Sequence, residues 1–191
     1  EQLLRSTPRQ DPDPHALSET LPPGFPEGVL PDTELEKSIS RGWITPDDNE
    51  VPEASIQPAS LDLRLGPTAY RLRSSFLPGS KTVQSRLREH QIGPEIPLIE
   101  DGAVLERNRP YLICLKERMN LPPQVSARAN PKSSTGRLDI FTRVVVDYGT
   151  GFDEIPEGYS GPVYLEVVSR SFTIQVKEGL SLNQVRLVHG D

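Results

Sequence analysis

The sequence predicts a mainly β fold, a sandwich or barrel, entered through one short helix. Short apolar or alternating runs recur along most of the chain. Prolines and glycines, 20 and 14 of the 191 residues, separate most of these runs. Only one early stretch carries helical spacing. Many short strands broken by turn residues fit a sandwich or barrel better than a sheet of alternating βαβ units.

In chain order, residues 1–27 hold six prolines and little apolar periodicity, and are expected to form an extended or disordered arm. The ordered domain is expected over 28–191. It opens at "LPDTELEKSISRGWI", where Asp32 is the expected N-cap, acidic residues fill the first turn, and Leu35 and Ile39 form an i, i+4 pair. Gly42 ends that helix. The period then changes to two. In "SLDLRLG", Leu61, Leu63 and Leu65 alternate with Ser60, Asp62 and Arg64, and Gly66-Pro67 is expected to end the strand. The further strands expected are "AYRLRS", "YLICLK", "QVSARA", "IFTRVVVDY", "PVYLEVVS", "FTIQVK" and "LNQVRLVH". Residues 71–88, which begin within the first of these, carry five cations and no acid, and are expected to be a solvated loop.

Composition excludes several classes of function. A formal charge of −6 argues against nucleic acid or an anionic membrane as partner, since phosphate neutralisation needs a basic face. No apolar run approaches the roughly 18 residues of a membrane-spanning helix, and no signal-peptide pattern opens the chain. With one cysteine, a cytoplasmic location is expected, and Cys114 is expected to be a small buried hydrophobe. A zinc nucleobase deaminase needs His/Cys/Cys ligands, which one cysteine and three separated histidines cannot supply, so no protein-bound metal is expected.

One decapeptide concentrates anion-binding chemistry. "NPKSSTGRLD" (130–139) offers a point charge at Lys132, hydroxyls at Ser133 and Ser134, a forked donor at Arg137, and an open backbone at Gly136. Those are the groups that phosphate oxygens accept from. Loops often hold such residues, so the pattern alone is a weak signal.

Three stretches in a fixed order sharpen it. "QPASLDLRLG" (57–66), "NPKSSTGRL" (130–138) and "EGYSGPVYLEVV" (157–168) together resemble the dCTP deaminase family of the dUTPase-like superfamily. "GVLPDTELEKSI" (28–39) resembles the opening of the N-terminal half of its longer, two-copy bacterial form. The resemblance covers residues 28–191 and implies a distorted jelly-roll or β-barrel. It implies hydrolytic deamination of dCTP to dUTP and ammonia, with Mg2+ carried by the triphosphate, in a homotrimer or pseudo-trimer. It places Glu166 as the general base and acid, with Ser133 and Arg137 holding water and developing charge. Lys132, Ser133, Ser134, Arg137 and Tyr159 would contact the nucleotide near a subunit boundary. Lys132 stands where the family has arginine, so charge is kept and the fork is lost.

The residues themselves leave two environments open for Glu166. Val163, Leu165 and Val167 share one face of its strand, and Tyr164, Glu166 and Val168 the other, which is either solvated or covered. Tyr159 fits core packing at a turn as well as ligand contact. The family's base- and sugar-binding arginine and aspartate correspond here to Glu154 and Pro156, leaving Asp147 or Asp153 for the sugar. The sequence stops at "VRLVHGD", without the basic, tyrosine- and glutamine-bearing tail of short family members. The expectation is therefore a first half, either active or a non-catalytic scaffold paired with an active copy. A dUTP diphosphatase is the remaining alternative, opposed by the lack of an aspartate in "IPEGYSG".

Overall fold

The computed structural model describes residues 20–48 and 50–190. In chain order the strands are β1 (Gly28–Val29), β2 (Ile44–Pro46), β3 (Ile56–Gln57), β4 (Ser60–Arg71), β5 (Ile96–Pro97), β6 (Ala103–Leu105) and β7 (Tyr111–Asn120). They continue with β8 (Val125–Pro131), β9 (Ile140–Val146), β10 (Glu154–Ile155), β11 (Ser160–Ser169), β12 (Ile174–Val176) and β13 (Ser181–His189). The α-helices are α1 (Asp32–Ser40), α2 (Val83–His90) and α3 (Ser133–Arg137).

The main sheet is antiparallel and runs β10-β8-β13-β4-β7-β11-β9. Asp153 ties its two ends together. Its main-chain carbonyl accepts from Ala129 N–H at 2.9 Å, on the β8 side. Its own N–H donates to Val144 O at 3.0 Å, and its carboxylate accepts from Val144 N–H at 2.8 Å, on β9. The result is a nearly closed, mainly β barrel, as the sequence led us to expect. Its interior is one apolar core, to which Leu61, Leu63 and Leu65 of β4 and Val163, Leu165 and Val167 of β11 all contribute.

Four local features differ from the sequence-based expectations. Helix α1 begins at Asp32 itself, with Pro31 as its N-cap, because the Asp32 carboxylate turns to its neighbour Thr33 N–H. The helix end is as expected: Gly42, at φ 78°, takes the left-handed conformation that stops it. Strand β4 passes through Gly66-Pro67 and continues to Arg71. A Cβ at position 66 would overlap the Cys114 carbonyl, so glycine here permits close approach of two strands where a turn was expected. The pairing register shifts at that point as β4 passes from β13 to β7.

The third difference is the cationic stretch 71–88, which is a packed cover. Leu72, Phe76, Val83 and Leu87 are buried against Leu112, Val145 and Tyr164, forming a second, smaller core on the outer face of the sheet. The Thr82 side chain caps α2 by accepting from Ser85 N–H, and Asp147 accepts from Val83 N–H at 2.8 Å. The cations project away from this core, which is why composition suggested a solvated segment. Last, residues 20–27 of the arm lie against the barrel. The Phe25 ring sits 5.8 Å from Trp43 and 5.2 Å from His189, whose Nδ1 is 2.8 Å from Pro26 O. Residues 1–19 of the arm lie outside the described residues. Among the described residues no helix is long and apolar enough to cross a membrane.

Candidate active site

Glu166 lies on β11, between β7 and β9, directly opposite Arg143 of β9 and Leu112 of β7. It shares its face with Tyr164, as alternation predicted, and the cover formed by residues 72–90 leaves it 2% exposed. The covered environment is therefore the one the chain adopts. Both carboxylate oxygens are engaged. Ser75 Oγ donates to Oε2 at 2.6 Å, and Arg143 Nη2 donates to Oε1 at 3.1 Å. The same Nη2 donates to Ser75 Oγ at 2.9 Å, which closes a three-membered ring. Arg143 is held flat by aromatic rings, its guanidinium carbon 4.0 Å from the Phe152 centroid and 5.0 Å from that of Phe141.

Neither Ser75 nor Arg143 stood out in the sequence. Ser75 lay in the stretch read as a loop. Arg143 is a lone cation in the apolar run "IFTRVVV", and only the β9–β11 register places it against Glu166.

The decapeptide 130–139 lies elsewhere, running from the end of β8 through α3 to the start of β9. Ser133, Ser134 and Arg137 occupy α3, are exposed, and make no side-chain hydrogen bond or ion pair among the described residues. Helix α3 leads into β9 at Ile140, which faces Ser169, while Arg143 faces Glu166. Three residues separate those pairs, about 10 Å along a strand. Ser133 and Arg137 are thus absent from the immediate surroundings of Glu166 within one chain. Lys132 is engaged with Asp62, Nζ to Oδ2 at 2.5 Å, and the other Asp62 oxygen is buried without a partner among the described residues.

Tyr159 and the two candidate aspartates have backbone partners. The Tyr159 hydroxyl donates to Pro162 O at 2.6 Å and accepts from Asp147 N–H at 3.1 Å. Burial pushes its pKa upward. Burial also pushes the Asp147 and Asp153 carboxyls above their ordinary range, against the pull of the Val83 and Val144 amides they accept from. Glu154 is exposed on β10, and Pro156 follows that strand.

Comparison with known proteins identifies the relationship. The family model described as 2'-deoxycytidine 5'-triphosphate deaminase (DCD) N-terminal domain matches residues 26–191. The chain belongs to that family. A crystal structure of 2'-deoxycytidine 5'-triphosphate deaminase from Agrobacterium tumefaciens is 45% identical to this family member, with a TM-score of 0.81. The match covers 85% of this chain and 48% of that one, so the sequence spans about half the length of the solved protein. The dUMP-forming dCTP deaminase of Methanothermobacter thermautotrophicus is 29% identical over 150 residues, 73% of this chain and 67% of that protein. The dCTP deaminase of Natronomonas pharaonis is 26% identical over 160 residues, 82% and 78% of the two chains.

Proposed function

We propose that this chain is a dCTP deaminase unit that converts dCTP and water to dUTP and ammonia, with Glu166 at its reacting centre. The observation that carries the reading is the Glu166 carboxylate, withdrawn from bulk solvent beside a hydroxyl and a guanidinium. The family assignment and the relatives' names support the substrate.

The chemistry follows from the groups available. Glu166 takes a proton from water as the water oxygen bonds to C4 of cytosine, and passes that proton to N3. Glu166 then takes the proton of the new C4 hydroxyl and delivers it to the exocyclic amine, the C4–N4 bond breaks, and ammonia leaves a C4 carbonyl behind. A positioned cation stabilises charge that develops at this centre. Ser133, Ser134 and Arg137, exposed and free on α3, would serve the nucleotide bound at a boundary with a second copy, in a trimer or pseudo-trimer. Tyr159 would contribute by holding the turn next to Asp147.

Magnesium fits as a companion of the triphosphate, where it would offset phosphate charge. Asp62 beside Lys132 offers one unpaired carboxylate oxygen, too few ligands for a protein cage.

A second reading has an observation of its own. Both Glu166 oxygens are satisfied within the chain and Lys132 is paired with Asp62, as a non-catalytic half supporting an active copy would allow. Ammonia release from dCTP with magnesium, compared with Glu166→Gln, separates the two. Release that falls at least about 100-fold in the variant supports the deaminase, that being the usual contribution of a general base. No release, with dCTP still bound, supports the non-catalytic half. Chromatography of the product distinguishes dUTP from the dUMP that some relatives are named for forming.

A further inference from the structure

The Ser75 hydroxyl has the surroundings that a hydrolytic water would need. Such a water must donate one proton to the Glu166 carboxylate, accept from a nearby cation, and carry a bond from its oxygen toward carbon as attack proceeds. Ser75 Oγ donates to Glu166 Oε2 at 2.6 Å and accepts from Arg143 Nη2 at 2.9 Å. Cβ is the third substituent on that oxygen, the counterpart of the substrate carbon in the attacking water. Ser75 is exposed, whereas Glu166 is 2% exposed, so the hydroxyl bonded to the buried carboxylate belongs to a residue that is itself open to solvent.

We propose that Ser75 holds the place of the hydrolytic water and yields it on substrate entry, and that Arg143 is the residue that positions Glu166. The proposal rests on the deaminase reading for its chemistry, and on the geometry alone for its gating.

The local structure permits the exchange. Leu72 and Phe76, either side of Ser75, are buried in the small core, and Phe76 stacks on His90 at 4.6 Å, so the backbone around Ser75 is anchored. Rotation about the Ser75 Cα–Cβ bond moves Oγ away and frees the Glu166 and Arg143 groups together, with the cover left in place. Arg143 does not leave with it. Its two aromatic neighbours and its hydrogen bond to Oε1 keep the guanidinium beside the carboxylate, ready to hold the incoming water.

Ser75→Ala removes a competitor for the water position. The kcat/KM for dCTP is expected to rise about fivefold, the size of one net hydrogen bond. Arg143→Gln is expected to lower kcat about 100-fold with KM little changed, and Arg143→Lys, which keeps the charge, to recover part of it. A fall in kcat/KM for Ser75→Ala matching that of Arg143→Gln would overturn the place-holder role. An Arg143→Gln effect confined to KM would overturn positioning.

A second readout is independent of turnover. Carbodiimide-driven amine labelling of Glu166, followed by mass spectrometry, is expected to run about fivefold faster in Ser75→Ala than in the unmodified chain. Equal labelling rates sink the gate even if dCTP is deaminated. Faster labelling with no ammonia release from any variant keeps the gate and removes the deaminase reading. Ser75 is exposed, so its variant leaves the buried packing untouched and the labelling test remains decisive if an Arg143 variant fails to fold.

Discussion

Glu117 has no exposed surface, and Arg64 satisfies its carboxylate twice, through Nε at 2.6 Å and its own backbone N–H at 2.8 Å. The rest of the guanidinium forks onto Asp48 at 3.0 Å, which fastens the segment after β2 over β4 and β7. Burial pushes the Glu117 carboxyl upward and Arg64 pulls against it. Removal of one partner leaves a charge buried and uncompensated, at a cost of about 3–5 kcal/mol. Arg64→Met is therefore expected to lower unfolding free energy in urea by that amount, and the double variant Arg64→Met, Glu117→Leu to regain most of it. A single-variant loss below about 1 kcal/mol, the range of surface pairs, would show the pair to be solvated. At this scale the sequence was informative only where chemistry and family pattern coincided. Glu166 was legible because its strand alternates and its motif is ordered. Arg64, Ser75 and Arg143 were not, because a polar residue on a strand (Arg64, Arg143) or in a cationic stretch read as a loop (Ser75) reads as solvent-facing until its cover is known.

The covering element is the stretch that sequence read least well. Alternation revealed β4, β7, β8, β9, β11 and β13, because each has one face in the same core and a period of two is hard to disguise. Helix α2 has eight residues, only Val83 and Leu87 of which are buried, too short a repeat to stand out among its cations. Its stability comes from packing on Leu112, Val145 and Tyr164 and from the caps at Thr82 and Asp147, since so short a helix is marginal alone. Leu87→Ala should cost about 2–4 kcal/mol of local packing. The expected result is faster amide exchange across 83–90 with barrel strands β7 and β11 unchanged. Equal acceleration in β11 would mean that the cover and the barrel unfold as one unit.

The two cores of the molecule are joined through β11 and the turn before it, and a tyrosine marks each of them. Tyr159 belongs to the large core and Tyr164 to the small one. Burial pushes both phenols above their ordinary value of 10.0, so the folded protein holds these protons more tightly than the unfolded chain does. The sign follows directly: the stability linked to them is fully present below pH 10 and is lost as pH rises beyond it. Each tyrosine then destabilises the fold by about 1.4 kcal/mol per pH unit, until the folded form itself ionises. The urea midpoint should therefore drop steeply above pH 10, and Tyr164→Phe should lessen the slope by about half. Tyrosinate absorbance from the two buried rings should appear together with loss of the β circular dichroism signal if the cores melt cooperatively. If Tyr164→Phe removes an early absorbance step and leaves the β transition where it was, the small core opens first. In that case the cover over Glu166 can be shed without loss of the barrel, and access to the carboxylate would not depend on Ser75 alone.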